Sequence, residues 1–369
     1  MKEINTEFDF NSDIHVASIS GGRTSHFMIG VLIEKYGRDN LHFVYCDTGA
    51  EHDGTYEFIR ETEGFYNIKI TCLRLSMPKE DGVGAQYEIV DISDLKRDYK
   101  AFNQLMEKYG RPFNPGGKFC TDQMKTKIYR KYCNGKFGKG QYTTWIGYRD
   151  EPRDASRAWG HTVSGMITKW FNIPKDEQGE FYIDCYDALS NSIGSLFDYV
   201  ASFAQDALSE HMYKRVCQIV ERVVKNKQTG YRFLFEISNF NNDMIKEWWR
   251  KQSIDLSIPN LCGNCIFCIE NTVNQLSYLC HTQNDLALEW MEVVNSNKIP
   301  TKDRKVSETA MYRNGSRKMS FKEVYDEAMS QPISYWEDKI NHETKLSPCA
   351  VGSCDLFNSE DDNYKLDLQ

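Results

Sequence analysis

Apolar and polar positions succeed one another in the order strand, helix, strand, helix, strand through the first part of the chain. Ile14 to Ile19 is a short apolar run that breaks into Ser20-Gly21-Gly22-Arg23-Thr24-Ser25. Phe27, Met28, Val31 and Leu32 then share one face at helical spacing, and Gly37 after Tyr36 is a stop signal. Leu41 to Cys46 reads as a second strand ending in the polar cluster Asp47-Thr48-Gly49-Ala50-Glu51-His52. Thr55 to Glu63 reads as a helix and Ile68 to Leu75 as a third strand. The order predicts an α/β fold with a doubly wound parallel sheet, whose ligands sit at the carboxyl ends of the strands.

Further along, Tyr142 to Ile146 is a β-branched and aromatic strand, and Tyr231 to Ile237 another. Between them, Leu189 to Val224 reads as largely helical, with Ile193, Leu196, Phe197, Val200 and Phe203 at steps of three and four. Ser238 or Asn239 can cap a helix carrying Met244 to Trp249, of whose adjacent Trp248 and Trp249 one must pack inward.

The strand ends carry the chemistry. In Ser20-Gly21-Gly22 the glycines let backbone approach an anion without a Cβ in the way, and the next helix offers unpaired N–H groups at its positive end. A plain tight turn is the alternative. After Ile146 come Gly147-Tyr148-Arg149-Asp150-Glu151-Pro152-Arg153. Arg149 and Arg153 can fork onto phosphate or sulfate oxygens, and Asp150 and Glu151 can hold Mg²⁺ beside substrate phosphates. Arg–carboxylate pairs within the chain are the other reading of that cluster. Lys96 to Lys139 holds twelve Lys or Arg against Asp98, Glu107 and Asp122, a net +9 in a chain of net charge −8. Such a field suits nucleotide phosphates or a nucleic-acid backbone; a solvated helical face is the plainer account for Lys127, Arg130 and Lys131.

These motifs together resemble the phosphoadenosine phosphosulfate (PAPS) reductase family of the PP-loop ATP pyrophosphatase superfamily. The resemblance rests on Ser20 to Ser25, Asp47-Thr48-Gly49, Phe119-Cys120 followed by Lys125, Gly147 to Pro152, Gly263-Asn264-Cys265-Ile266-Phe267-Cys268, and the late pair Cys349 and Cys354. It is closest to phage and prophage members. It implies a Rossmann-like core that binds ATP or PAPS with Mg²⁺, in the cytoplasm of a bacterial or phage-infected cell. Carried over, the nucleotide-binding residues are Ser20, Gly21, Gly22, Arg23, Thr24, Ser25, Thr48, Gly49, Gly147 and Arg153; the catalytic ones are Asp47, Arg149, Glu151 and Lys125. The chain departs from the family in several places. Thr24 stands where the loop's acid is expected, with Asp47 or Glu51 as substitutes. Thr121 stands where cluster-bearing reductases have a second cysteine, leaving Cys120 a lone thiol. The reductase nucleophile motif Glu-Cys-Gly-x-His is missing, Ser353-Cys354-Asp355-Leu356-Phe357 being its nearest counterpart.

Relative to compact family members the chain has extra residues, so the expected organisation is a nucleotide-binding core at 1–158, a helical insertion at 159–229, completion of the core with a Cys-rich motif at 230–300, and a C-terminal region at 301–369 ending in a disordered acidic tail. The insertion is expected to pack as a helical lid. A nucleic-acid contact through Lys214, Arg215, Arg222 and Lys225 is the sharper alternative.

Cys262, Cys265 and Cys268 form Cys-x2-Cys-x2-Cys, and Cys280 follows. One reading is zinc held by two ligand turns, Cys265 with Cys268 and Cys349 with Cys354. The other is a [4Fe-4S] cluster on Cys262, Cys265, Cys268 and one more thiolate such as Cys280.

Composition leaves this picture in place. At 369 residues and 40% hydrophobic, the chain can bury substantial cores. No run reaches the length of a membrane span, and Met1-Lys2-Glu3-Ile4-Asn5 is unlike a signal peptide, so a cytosolic protein with reduced thiols is expected. Three function classes follow. The favoured one is adenylating, pyrophosphate-releasing α-phosphate chemistry that serves sulfur transfer or nucleic-acid modification, with DNA or tRNA as acceptor and a sulfur-donor or redox protein as partner. A sulfonucleotide reductase and a non-catalytic nucleotide-binding regulatory module are the alternatives. Oligomeric state is not legible in the sequence.

Overall fold

A computed structural model describes residues 12–80, 82–109, 119–204, 209–294, 312–314 and 317–342. Six strands, β1 (His15–Ile19), β2 (Leu41–Asp47), β3 (Ile70–Ser76), β4 (Gln86–Val90), β5 (Thr143–Ile146) and β6 (Tyr231–Phe233), form one sheet in the order β4-β3-β2-β1-β5-β6. β1 runs parallel to β5 and β5 parallel to β6. The fold is therefore α/β with a mostly parallel sheet, as the periodicity predicts, with one correction. β4 pairs antiparallel with β3 at the edge. Its Gln-Tyr-Glu-Ile-Val pattern shows no continuous apolar run, because an edge strand is covered on fewer sides.

The chain divides into two compact units, each drawn from discontinuous segments. The first comprises described residues of 1–19, 24–43 and 133–253. Its core includes Val16, Ala17, Met28, Leu32 and Trp145, all buried. The helix Arg23–Tyr36 buries Phe27, Met28, Ile29 and Leu32, and ends where Gly37 takes φ +73° and bonds back to the Ile33 carbonyl. Such a left-handed cap is the conformation glycine adopts without strain. The insertion forms helices His161–Phe171, Gln178–Asn191, Ile193–Ser202 and Glu210–Gln228. Beyond it β6 is shorter than the expected Tyr231 to Ile237, since Leu234–Glu236 turns into a 3-10 helix stapled by the Glu236 carboxylate on the Phe233 N–H. The helix that follows, Asn242–Arg250, is capped by Asn241 and not by Ser238 or Asn239. Trp249 packs inward, and Trp248 lies edge-on to Phe27.

The second unit comprises described residues of 20–23, 44–132 and 254–369. Phe58, Ile59, Leu73, Leu75, Leu105 and Leu276 are buried in it. Its helix after Phe119 contains a π-helical turn over Asp122–Thr126 before continuing as Lys127–Phe137, the last part of which belongs to the first unit. No described helix is long and apolar enough to cross a membrane. The Gly110 to Lys118 loop, the late cysteine pair and the acidic tail lie outside the described residues.

Candidate nucleotide site

The turn after β1 is constrained by its surroundings. A Cβ on Gly21 would overlap the Thr55 methyl, so only glycine brings the turn this close to the Asp53–Tyr66 helix. The Gly22 N–H donates to Ser20 Oγ at 3.4 Å. Arg23 is docked away from the turn. Its Nε and Nη2 donate to the two Asp255 carboxylate oxygens at 2.6 and 3.0 Å, and Nη2 also donates to the Leu256 carbonyl at 2.6 Å.

In the first unit the end of β5 closes on the first turn of the Arg23–Tyr36 helix. A Cβ at Gly147 would lie 3.2 Å from Ser25 N and Cα, so the strand end and the helix N-terminus meet backbone to backbone. β1 and its parallel neighbour β5 are also where strand order reverses along the chain, the position at which open α/β sheets bind ligands. Thr24 and Ser25 are buried there.

Beyond Gly147 a charged network takes up the predicted arginine. Arg149 is only 1% exposed; its Nε and backbone N–H donate to Asp154 Oδ2 at 2.9 and 3.0 Å, and Nη1 donates to Asn242 Oδ1 at 2.9 Å. Arg157 donates to Asp154 Oδ1 at 2.9 Å and lies over the Tyr148 ring at 4.3 Å. Glu151 sits 3.4 Å from Arg149 and accepts the Asn242 N–H at 2.5 Å, capping that helix. Arg149 and Glu151 thus follow the reading as internal pairs. Asp150 is exposed and Arg153 half-buried. Asp154, Arg157 and Asn242 escaped the sequence reading, although an Asp five residues after a buried Arg on an Arg-rich helix start is a visible signal.

In the second unit the end of β2 holds two carboxylates. Asp47 Oδ2 accepts from Arg74 Nε at 2.8 Å and Nη2 at 2.5 Å, and Oδ1 accepts from the Gly49 N–H at 2.9 Å. Arg74 also reaches Asp98 at 3.1 Å. Burial and the neighbouring Glu51 charge still push the Asp47 carboxyl up to about 6, against the pull of Arg74. Gly49 takes φ +70° and its carbonyl accepts the Asp98 and Tyr99 N–H groups, so the turn needs glycine. Glu51 accepts the Thr48 hydroxyl at 2.7 Å and the Tyr56 hydroxyl at 3.0 Å. Burial beside these acids drives the Tyr56 phenol far above its ordinary range. Arg74, the partner of Asp47, was missed as well; its signal is a charge inside the apolar run of β3.

The Cys-rich motif is joined to that turn. Glu51 and Cys265 form an antiparallel bridge, the Ile266 N–H donates to the Ala50 carbonyl, and Cys265 Sγ lies 3.2 Å from Thr48 Oγ1. Cys265 and Cys268 line one pocket with Cys120, Phe102, Phe267 and Trp290, so Cys120 is not the lone thiol the sequence suggests. Lys125 is buried in the π-helical turn. Cys262 and Cys280 are fully buried, and that burial pushes their thiols up to about 12. Among the described residues no group of three or more His, Cys, Asp or Glu is placed to hold a metal ion. Cys349 and Cys354 lie outside them.

The chain is an α/β protein with a mostly parallel sheet and a glycine turn after its first strand. Residues 14–153 match the family described as phosphoadenosine phosphosulfate reductase domain, and the chain carries that domain. Over 353 residues the chain is 28% identical to the "Uncharacterized nin region protein ORF290" of Escherichia phage lambda, covering 94% of this chain and 96% of that protein. No solved structure matches the chain.

Proposed function

We propose that the protein binds an adenine nucleotide at the Ser20 to Ser25 turn and activates it at the α-phosphate. An acceptor oxygen or anion attacks α-phosphorus, the bond to the β-phosphate oxygen breaks, pyrophosphate leaves, and an adenylated acceptor remains for sulfur transfer or nucleic-acid modification. The observation that carries this reading is the close approach of Gly147 to Ser25 at the reversal of strand order, where a helix N-terminus and its dipole favour an anion. Ser20, Gly21, Gly22, Thr24 and Ser25 cradle the phosphates, while Arg23 fixes the turn through Asp255. Arg149 acts through Asp154 and Asn242 as a rigid base for the loop at Asp150 and the helix start that carries Arg153. Asp150, whose side chain is exposed, is the carboxylate of this loop that fits Mg²⁺ bound with the nucleotide, where the ion would neutralise the departing pyrophosphate. Cys265 and Cys268, with Cys349 and Cys354, are proposed to hold zinc or a [4Fe-4S] cluster that ties the C-terminal region to the Asp47–Glu51 turn.

Cys265 at 3.2 Å from Thr48 favours a second reading, in which its thiolate attacks the sulfate sulfur of PAPS, the S–O bond breaks to release adenosine 3′,5′-bisphosphate, and a thiol reductant added to the assay frees sulfite from the cysteine S-sulfonate. Parallel assays of pyrophosphate release from ATP and sulfite release from PAPS, each with and without DNA or tRNA, separate the two. Pyrophosphate release supports adenylation and sulfite release the reductase; neither product sinks both and leaves a binding module.

A further inference from the structure

The Glu210–Gln228 helix of the first unit carries its cations, Lys227 excepted, on one line. At about 100° per residue, His211, Lys214, Arg215, Gln218, Arg222 and Lys225 fall within a strip about 100° wide. The opposite side, with Val216, Ile219, Val220 and Val223, is buried. From Lys214 to Lys225 the strip runs about 16 Å, the length of about five phosphates of one strand at 3.4 Å each. One end of it is anchored. Trp170, on the neighbouring helix His161–Phe171, meets the His211 ring edge-on at 4.7 Å and has the Arg215 guanidinium and Lys169 ammonium each 5.3 Å from its ring. Arg215 is further held by Gln218 at 3.2 Å.

We propose that this strip binds the phosphodiester backbone of a nucleic acid, independently of base sequence. Charge complementarity selects a polyanion: the strip is cationic in a chain of net charge −8. Glu210 pairs with Lys214 at 2.7 Å, but both side chains are exposed, at 84% and 68%, and such a pair is readily exchanged for phosphate. Glu221 lies at the border of the strip. Lys214 with Arg215 and Arg222 with Lys225 place cations near both ends of the strip, with neutral Gln218 between them. The proposal rests on the acceptor half of the reading above, and names where that acceptor would lie.

Its test is anisotropy of a labelled 20-mer as single-stranded DNA, duplex DNA and RNA, titrated with the full chain at several salt concentrations. Wild-type protein should bind at least one of these arms. Lys214→Glu with Lys225→Glu should lose tenfold or more in affinity, and flatten the plot of log affinity against log salt by about two contacts' worth. Lys214→Arg with Lys225→Arg should bind as wild type. Unchanged affinity in the charge-reversed variant, or no binding by wild type in any arm, overturns the proposal. Calorimetry with ATP distinguishes the two readings. Nucleotide affinity unchanged in the charge-reversed variant assigns the loss to the strip, whereas a wild type that binds nucleic acid and not ATP sinks the nucleotide reading alone.

Discussion

Arg23 and Asp255 are 232 residues apart in sequence and form a two-pronged ion pair of 2.6 and 3.0 Å. The arginine inside the Ser20 to Ser25 turn is thereby a brace, and in the proposed reading the anion is met by the turn's backbone N–H and hydroxyl groups. Asp255→Asn should weaken ATP or PAPS binding about tenfold by calorimetry. Because both side chains are about a third exposed, the loss in folding stability should stay near 1 kcal/mol. Equal loss of affinity in Asp255→Glu would count against a positional role.

The fit of Gly21 against Thr55 predicts a paired effect. Gly21→Ala should destabilise the protein by about 1–3 kcal/mol, as overpacking does. Adding Thr55→Ser, which removes the methyl that a Cβ would strike, should recover most of it in urea titrations.

Arg74 neutralises Asp47 inside the protein, and both are nearly inaccessible. Arg74→Met leaves a buried carboxylate without its partner. Unfolding free energy should fall by about 3–5 kcal/mol. Arg74→Lys, which keeps charge but not the fork, should fall between the two in the same chemical denaturation series.

Glu236 supplies a pH dependence with a definite sign. Burial raises its carboxyl to about 7, despite the Arg232 guanidinium at 2.7 Å. The folded state therefore holds this proton more tightly than the unfolded chain. Its contribution to stability is fully present below about 4.5 and is lost as pH rises through about 7. Measured against Glu236→Gln, wild type should lose a few kcal/mol between those values, an order-of-magnitude figure. A difference that stays flat with pH would show that the carboxyl is not perturbed.

Anaerobically purified protein should contain about one zinc per chain or an iron–sulfur complement by elemental analysis. Cys265→Ser with Cys268→Ser should remove it. Protein free of both metals would reduce the cysteines to ordinary thiols.

The parts legible in the sequence are those with local causes. β1, β2 and β5 are short apolar runs, and Gly37 ends its helix by its own conformation, so periodicity and punctuation reveal them. β4 was illegible because an edge strand lacks a continuous apolar pattern. Asn241, rather than Ser238 or Asn239, became the helix cap because the 3-10 turn at Leu234–Glu236 moved the helix start. At the site, the turn residues could be named from their chemistry, but their partners could not. Asp255 and Arg74 are set beside Arg23 and Asp47 by tertiary geometry from 232 and 27 positions away, whereas Asp154 lies five residues after Arg149 and is a local partner.

The bridge between Glu51 and Cys265 also sets an order of events during synthesis. The two residues are 214 positions apart. At about 5–20 residues per second, a ribosome takes roughly 10–40 seconds to travel between them. Through that interval the nascent chain holds the Asp47–Glu51 turn without its strand partner. The Asp47–Glu51 turn is thus completed after the Ser20 to Ser25 turn, whose brace Asp255 is made ten residues before Cys265.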